Sequence, residues 1–410
     1  MLPLRIAESS GKEGVFAQQI ARNTRLYCPG TCRDTSCGDK QRSNKTRKFK
    51  MSRAWNFVAG PAGLPEEVLH RAQEAIWDIG MGAGILEVSH RSAFFDQLMY
   101  DLEAQFRRIG GIPDDYDVLF LQGGATLQFC QIPAELTHPG DHIDCIHTGF
   151  WTRNAMRDAA FYVPIHYAYD GAATGFEHIP SDDEIHYSEN PRYVYYCANN
   201  SFMGTEWQHA PKTDYPIVAD MSSNIYSRPI DVRAHSLIFA SAQKNLGIAG
   251  CCVVIVRHDF LEVCQPDPRP SMFNYRRLVE NRSMLNTPPT FALFMMKQML
   301  DWIEEHGGLE GMAAINRQKA AIIRDAIDDT HGFFRHVGEP QCRSMMNISF
   351  RTASKALDDA FIAGAEARNM LGLRGHRETG GLRASVFNAF PIEGCRALAE
   401  YIREFARVRG

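Results

Sequence analysis

The chain has 410 residues, which exceeds one typical domain and predicts two. Apolar residues make up 45% and charged residues 22% of the sequence, as in ordinary globular proteins, and the net charge of −4 gives no indication of a nucleic-acid partner. No apolar run is long enough to span a bilayer, so we expect no membrane helix.

Residues 1–50 differ in composition from the rest of the chain, with 11 Lys and Arg against 4 Asp and Glu. One interpretation is a transit peptide, or a nucleic-acid-binding tail with Cys28, Cys32 and Cys37 as metal ligands. The other is a disordered extension that precedes a natural start at Met51. The sequence favours the extension, because the cysteines lack a second ligand pair and the segment contains acids and no secretory apolar core.

The globular part begins near Trp55, and its first predicted helix is Val68–Trp77. Proline followed by two acids makes a favourable first turn there, and apolar residues then recur at helical spacing. A strand is predicted at Asp117–Leu121, followed by a glycine turn at 122–126 and an apolar helix over Leu127–Leu136.

Five further strands are predicted in the middle of the chain, with helices between several of them. These strands are His142–His147, Arg192–Cys197, Ile217–Ala219, Leu237–Ala240 and Cys251–Arg257. Such alternation is typical of an α/β fold with a mostly parallel sheet covered by helices on both faces.

The C-terminal part predicts a smaller α+β unit. Two long helices, Phe291–Glu305 and Gly311–Asp329, lead into it. The unit itself is expected to contain a strand at Met345–Phe350, a helix over Ala356–Met370 and a last helix from Glu393.

The most informative residues are Lys244 and Asp220. Lys244 lies between two apolar runs, where an unpaired lysine is costly unless it is neutral or used covalently. Asp220 ends the strand Ile217–Ala219, and ligands of open α/β sheets bind at such strand ends. A lysine that forms a Schiff base and an acid that partners the pyridinium nitrogen are what a pyridoxal phosphate (PLP) enzyme needs. Alone, the acid could equally be a helix cap and the lysine a surface residue.

Two turns add weaker indications. The glycines of the segment 122–126 follow a strand and open a helix, so backbone N–H groups there could approach a phosphate, although such turns often contain glycine. Trp151 follows another strand and turn, where a core position is the more frequent role.

Cysteine use indicates the compartment. The chain has 11 cysteines without regular spacing, and several stand in apolar strand-like runs. Thiols at such positions pack as small apolar groups, which favours a reducing, cytoplasmic location. The globular sequence predicts no metal site.

Three cationic motifs stand out in the globular sequence: His90-Arg91, His376-Arg377 and Arg383. Each could be a solvated surface charge. Together they suit a substrate that carries both a phosphate and a carboxylate, because arginine binds either group through two hydrogen bonds.

In order and spacing, the motifs from about Trp55 to the C-terminus resemble the phosphoserine aminotransferases, dimeric PLP enzymes of aminotransferase class V and fold type I. The matching segments are Phe57–Ala62, Glu87–Arg91, Gly149–Trp151, Ala219–Ser223, Ser227–Asp231, Ser241–Gly247, Asn286–Thr290, Gly375–Arg377 and Leu382–Ser385. The resemblance implies a large PLP-binding domain, 65–312, with a mostly parallel seven-stranded sheet. It also implies a smaller α+β domain, 313–410, against which the segment 51–64 packs.

The resemblance also implies roles in cofactor binding. Lys244 would form the Schiff base and move the proton between the substrate α-carbon and the cofactor, while Asp220 would pair with the ring nitrogen and Trp151 would stack on the ring. The remaining cofactor residues would be Gly124, Ala125, Thr126, Ser201 and Gln243, with Asn286 and Thr287 supplied by a second subunit. Ala125-Thr126 and Ser201 depart from the usual pattern, in which Arg often follows the glycines and Thr stands in place of Ser201.

For the substrate, the resemblance implies that Arg383 binds the α-carboxylate. His90, Arg91, His376 and Arg377 would bind the phosphate, some of them across a homodimer interface. The implied reaction moves an amino group between glutamate and 3-phosphohydroxypyruvate, in serine biosynthesis, with 4-phosphohydroxythreonine of pyridoxine biosynthesis as a further substrate. Small molecules, and neither nucleic acid nor membrane, would be its partners.

Three alternatives remain open at this point. An alanine–glyoxylate or serine aminotransferase has no substrate phosphate to bind and would not need two His-Arg pairs. A cysteine desulfurase needs a catalytic cysteine on a mobile loop, whereas Cys342 lies just before a predicted strand. A catalytically inactive homologue could serve as a binding protein, although the retained lysine and acid argue against it.

Overall fold

The computed structural model describes residues 53–263, 270–376 and 379–410. The predictions for the N-terminal segment 1–50, including its three cysteines, and for Arg377 lie outside the described residues. The described part contains one large sheet and three small ones, and helices cover the large sheet.

The strands in chain order are β1 (Trp55–Asn56), β2 (Tyr116–Gln122), β3 (Ile143–His147), β4 (Ile165–Asp170), β5 (Val194–Cys197), β6 (Asn199–Asn200), β7 (Thr205–Glu206), β8 (Ile217–Asp220), β9 (Leu237–Ser241), β10 (Cys251–Arg257), β11 (Arg335–His336), β12 (Asn347–Arg351), β13 (Met370–Leu371) and β14 (Leu382–Ser385). The α-helices are Glu66–Trp77, Ala93–Gly110, Ala125–Leu136, Phe150–Ala159, His258–Glu262, Tyr275–Glu280, Thr290–Glu305, Gly308–Asp328, Lys355–Glu366 and Ile392–Arg409.

Seven strands form the central sheet, in the order β2-β10-β9-β8-β5-β3-β4. Strands β9, β8, β5, β3 and β4 pair in parallel, and β10 is antiparallel to both of its neighbours, β2 and β9. Six of the seven strands therefore run in one direction, so their carboxyl ends meet at one edge of the sheet. This confirms the predicted mostly parallel seven-stranded sheet of an α/β fold.

Side chains alternate between the two faces of this sheet, and each face has its own apolar core. On one face Phe120, Tyr196 and Ile238 pack with residues of the helices Ala93–Gly110 and Thr290–Glu305. On the other face Tyr195 and Phe239 pack with residues of Ala125–Leu136 and Phe150–Ala159. Near-continuous burial on both faces is expected of parallel strands covered by helices.

Several elements were not among those predicted, and the longest helix and one strand of the central sheet among them show why. The helix Ala93–Gly110 has a clear helical signature, with the Ser92 hydroxyl accepting from the amide of Phe95 at its start and Gly111 in a left-handed conformation at its end. Strand β4 lies at the sheet edge, where half of its side chains face solvent, so it lacks the apolar run that marks its neighbours.

A third apolar core belongs to the C-terminal part of the chain. It joins the antiparallel sheet β11-β12-β14 to the helices Lys355–Glu366 and Ile392–Arg409, and it includes Phe57 from the N-terminal segment. That segment enters this core because β1 pairs in parallel with β13. The predicted helix over Ala356–Met370 was too long: the helix ends at Glu366, Asn369 adopts a left-handed conformation, and Met370 begins β13.

An imidazole links the segment after β4 to the C-terminal part. His178 Nδ1 lies 2.8 Å from Glu339 Oε2, and its Nε2 lies 2.9 Å from Glu184 Oε2. Burial alone would lower the pKa of His178, but the hydrogen bonds from its ring to Glu184 and Glu339 outweigh this and raise it.

Among the described helices, none is long and apolar enough to cross a membrane.

Candidate active site

Lys244 and Asp220 lie at the carboxyl edge of the central sheet, where two adjacent parallel strands end. Asp220 is the last residue of β8, and Lys244 stands in the turn that follows β9. Burial raises the pKa of Asp220, although the amide of Ser222 donates to its Oδ1 at 2.8 Å and favours the ionised form. Burial also lowers the pKa of Lys244, against the opposing charge of Asp220. The neutral amine that a nucleophilic lysine needs is thus more populated than in an exposed lysine.

The N-terminal segment lies directly against Lys244. The amide of Ala62 donates to the carbonyl of Gln243 at 2.8 Å. A Cβ on Gly60 would lie 3.6 Å from Cγ and 3.7 Å from Cε of Lys244, and the φ of +129° at this position favours glycine. Gly60 therefore forms one wall of the Lys244 site. It was not among the predicted site residues, although its segment, Phe57–Ala62, is one of those that match the family.

An open helix N-terminus lies beside this turn. The helix Ala125–Leu136 begins after Gly123 and Gly124, and no side chain caps it. The amide of Ala125 donates to the hydroxyl of Ser241 at 2.7 Å. Gly124 is also close to Ser241, because a Cβ added at Gly124 would lie 3.5 Å from that hydroxyl oxygen. Backbone N–H groups at such a terminus bind phosphate well. Ser241 is a second residue that the sequence reasoning missed, and only its place in the Lys244 segment could have marked it.

The other predicted phosphate-site residues lie at the solvent-facing side of this turn. Thr126 is exposed and Gln243 is half-buried. Asn286 and Thr287 are both exposed, and Asn286 Nδ2 donates to Gln122 Oε1 of the same chain at 2.8 Å. The loop that carries Asn286 thus lies next to the glycine turn within one chain.

Aromatic side chains form a wall near the sheet edge. Trp151 is half-buried, with its ring 5.3 Å from that of Phe150 and 5.9 Å from that of Phe202. Its indole Nε1 is buried and has no hydrogen-bond partner among the described residues. The ring of His376 stacks on Phe202 at 3.8 Å and 16°, so this predicted residue joins the same wall.

Arg383 is a buried cation that points toward this region. Its side chain, on β14, is 8% exposed, and Nη1 donates to the carbonyl of Ser201 at 3.0 Å. Its Nε is buried without a partner, and no carboxylate of the described residues forms an ion pair with it. Burial lowers the pKa of Arg383 to about 10, and its charge in turn lowers the pKa of Lys244. A buried guanidinium of this kind suits an anionic ligand.

His90 and Arg91 lie apart from this group. They line a surface cavity of about 430 Å³ together with Ser92, Ala93, Asp96 and Met284. Arg91 is exposed, and the lining contains none of the residues that surround Lys244. Within one chain, the structure thus leaves His90 and Arg91 apart from the residues around Lys244, whereas the exposed loop at Asn286 lies at the solvent-facing side of the glycine turn.

The residues present fit PLP. The helix N-terminus offers backbone amides to its phosphate, the buried Asp220 carboxylate suits a protonated ring nitrogen, and the half-buried Trp151 offers a ring face. Trp151 Nε1 and Arg383 Nε are buried without a described hydrogen-bond partner, which also suits a bound ligand, because buried polar groups are normally hydrogen-bonded.

Comparisons with known proteins identify the family of the chain. The model of the aminotransferase class-V family matches residues 54–395. A phosphoserine aminotransferase of Herpetosiphon aurantiacus is 44% identical over 358 residues, covering 87% of this chain and 99% of the relative. The solved phosphoserine aminotransferase of Bacillus circulans subsp. alkalophilus superposes with a TM-score of 0.85 at 42% identity, over 87% of this chain and 99% of that one.

A PLP-bound phosphoserine aminotransferase from Trichomonas vaginalis superposes with a TM-score of 0.81 at 36% identity, over 86% of this chain and 100% of that one. The family match spans more than half of the chain, and the relatives are matched over almost their whole length. These findings confirm the predicted family, fold type and cofactor. The chain therefore belongs to the class-V aminotransferases, PLP-dependent enzymes of fold type I.

Proposed function

We propose that this enzyme moves an amino group between glutamate and 3-phosphohydroxypyruvate, giving O-phosphoserine and 2-oxoglutarate. The observation that carries the proposal is Arg383, a buried guanidinium that acts on the charge of Lys244 and has no described carboxylate partner. Both amino-acid substrates and both keto acids carry an α-carboxylate that could pair with it. The relatives, which bear the name of this activity, support the choice of a phosphorylated substrate.

The cofactor supplies an aldehyde that carries the amino group and a ring that accepts electrons from the substrate α-carbon. Lys244 would hold it covalently and then move the proton to and from that carbon. Asp220 would keep the ring nitrogen protonated, and Trp151 would stack on the ring. The phosphate would lie at the helix N-terminus, held by Gly124, Ala125, Thr126 and Gln243, and Ser201 would bond the phenolic oxygen.

The substrate phosphate would be bound by two pairs of side chains. His376 and Arg377 would reach it from the loop after β13, and the stacking of His376 on Phe202 supports a position near the cofactor. His90 and Arg91 line a separate cavity in the single chain, so they would reach the phosphate from a second subunit.

We further propose a homodimer with shared active sites. Exposed large apolar side chains close together in sequence support it, because exposed apolar surface commonly marks an interaction site. They are Ile76, Trp77, Met81 and Leu86, with Trp77 87% exposed. Asn286 and Thr287 are exposed and would complete the cofactor phosphate site of the partner.

The domain organisation and location follow the same reasoning. We propose a large domain, 65–312, and a small domain, 313–410, with 51–64 packed on the latter, supported by the third apolar core. A cytoplasmic location is supported by the described cysteines, all seven of which are free. A role with 4-phosphohydroxythreonine in pyridoxine biosynthesis is part of the same proposal.

The test is substrate discrimination by Arg91→Ala. We expect its KM for 3-phosphohydroxypyruvate to rise at least about tenfold, because one charge-assisted contact is lost, and its KM for glutamate to stay within about twofold. The matched control is Arg157→Ala, since the Arg157 side chain is also exposed and stands on the helix Phe150–Ala159. Equal effects on both substrates, or a preference of the unaltered enzyme for glyoxylate, would instead support the alanine–glyoxylate or serine type.

A further inference from the structure

Lys319 is a fully buried lysine without a described carboxylate partner. It stands on the helix Gly308–Asp328, and its side chain is 0% exposed. Its Nζ donates to three consecutive carbonyls, those of Val386, Phe387 and Asn388, at 3.0, 2.7 and 3.1 Å. Three acceptors match the three protons of an ammonium, so the charged form of this side chain has every donor satisfied.

The carbonyls belong to the segment that follows β14, the strand of Arg383. From this segment the amide of Asn388 donates to Asn245 Oδ1 at 3.0 Å, and Asn388 Nδ2 donates to the carbonyl of Tyr226 at 2.8 Å. Asn316, on the same helix as Lys319, donates to Asn388 Oδ1 at 2.8 Å and to the carbonyl of Ser227 at 2.9 Å.

The bonds converge on the turns that carry the cofactor residues. Asn245 follows Lys244 directly, and its Nδ2 donates to the carbonyl of Ile225 at 2.8 Å. Ile225 lies in the turn that begins at Asp220, because its amide donates to the carbonyl of Met221 at 2.8 Å. The turn after Asp220, the turn that contains Lys244 and the segment that follows the strand of Arg383 thus meet in one buried hydrogen-bond network.

We propose that Lys319 is a positioning residue: its ammonium fixes the segment 386–388, and through Asn388 and Asn245 it sets where the turns of Lys244 and Asp220 stand relative to Arg383. This inference rests on the proposed roles of those three residues. Buried hydrogen-bond networks favour one geometry, and the members here are 0–2% exposed; of the named Lys319, Asn245, Asn316 and Asn388 side chains, only Asn316 has a buried atom, Oδ1, without a described hydrogen-bond partner.

Burial disfavours the charge of Lys319, so the hydrogen bonds to the three carbonyls must hold the ammonium against that penalty. Burial lowers the pKa of Lys319 to about 7, and the only titratable group of the described residues that acts on it is the thiol of Cys395 on the last helix. Burial raises the pKa of Cys395 to about 12, so that thiol stays neutral. The three carbonyl acceptors are therefore what keeps the ammonium in place.

The test compares Lys319→Met with Ile323→Ala in the cofactor-free protein. Ile323 is buried one turn further along the same helix, in the third apolar core, and contacts the network through none of these bonds. Amide hydrogen exchange would be measured for the turns 242–247 and 221–227. We expect Lys319→Met to speed exchange in both turns about tenfold beyond any change in Ile323→Ala, because three buried carbonyls lose the donor that fixes the segment 386–388; a tenfold change is about 1.4 kcal/mol.

With PLP added, the pH midpoint of its visible absorbance band should shift in Lys319→Met and not in Ile323→Ala. Asn245→Ala is the second variant, and it is used alone if Lys319→Met does not fold. The double variant should speed exchange by much less than the product of the two single effects, because both substitutions remove hydrogen bonds of the same network. Unchanged exchange in the two turns, at a loss of melting temperature equal to that of Ile323→Ala, would show that Lys319 only stabilises the fold. A failure of the proposed activity would leave the exchange result standing.

Discussion

Replacing Arg383 by methionine should make the protein more stable and less active at the same time. The guanidinium is held in a buried site with one described hydrogen bond and no counter-ion. The fall in the pKa of Arg383 to about 10 puts the cost of this charge at about 3 kcal/mol, since a tenfold change in a protonation equilibrium is about 1.4 kcal/mol. Methionine fills a similar volume without that cost.

The gain is reduced because the carbonyl of Ser201 loses its donor. An unsatisfied buried carbonyl costs about 1–2 kcal/mol, which leaves a net stabilisation of about 1–2 kcal/mol. In a chain of this size, that corresponds to a rise of about 1–3 °C in the melting temperature of the cofactor-free protein. Binding should change far more, because the lost pair of charge-assisted bonds to a carboxylate is about 3 kcal/mol, or about 100-fold in KM.

Calorimetry of the cofactor-free protein and steady-state kinetics with glutamate would measure both effects. Arg383→Lys is the matched control: it keeps a cation, so it should give no gain in stability, and it should recover only part of the affinity because it cannot form two parallel bonds. A lower melting temperature in Arg383→Met together with an unchanged KM would refute the reasoning. The guanidinium would then act only to stabilise the fold, through its hydrogen bond to the carbonyl of Ser201.

Three further outcomes are expected. Ser241→Ala should weaken PLP binding about tenfold, measured by absorbance titration, because the first amide of the phosphate-binding helix loses its acceptor; an unchanged affinity would contradict this. Lys244→Ala should lose the visible band of covalently bound PLP and all transfer activity, and a retained band would point to another lysine. The stability lost in His178→Gln, measured by urea unfolding, should be largest below pH 6.5 and should shrink as pH rises through the raised pKa of His178, because the charged imidazole bonds Glu184 and Glu339. A loss independent of pH would show that this charge plays no part.

The sequence predicts most of the central sheet and the Lys244–Asp220 pair because both leave local signals. Buried parallel strands are continuous apolar runs, and their polar ends mark the ligand edge of an open sheet. Strand β4 leaves no such run, since it lies at the edge and half of its side chains are exposed. The end of the helix that begins at Lys355 was misjudged because the pairing of Met370 with Trp55, far away in the chain, overrides helical propensity there.

The contacts that complete the site are harder to predict. Lys319 appears in the sequence as one lysine of an amphipathic helix, because its partners are backbone carbonyls that have no side-chain signature. Gly60 approaches Lys244 across 184 residues of sequence, and only the resemblance marked its motif. Side-chain chemistry thus identifies the reacting residues, whereas the backbone contacts that orient them depend on the tertiary fold.

The pairing of β1 with β13 also has a consequence for synthesis of the chain. Trp55 is opposite Met370, so the first described strand leaves the ribosome 315 residues before its partner. At about 5–20 residues per second, that interval is roughly 15–60 s. During that time Phe57 has no complete third core to enter, and the bond from the Ala62 amide to the Gln243 carbonyl holds the Gly60 segment beside Lys244 without the β1–β13 pairing. The wall that Gly60 contributes to the Lys244 site is therefore fully anchored only after Met370 has been made.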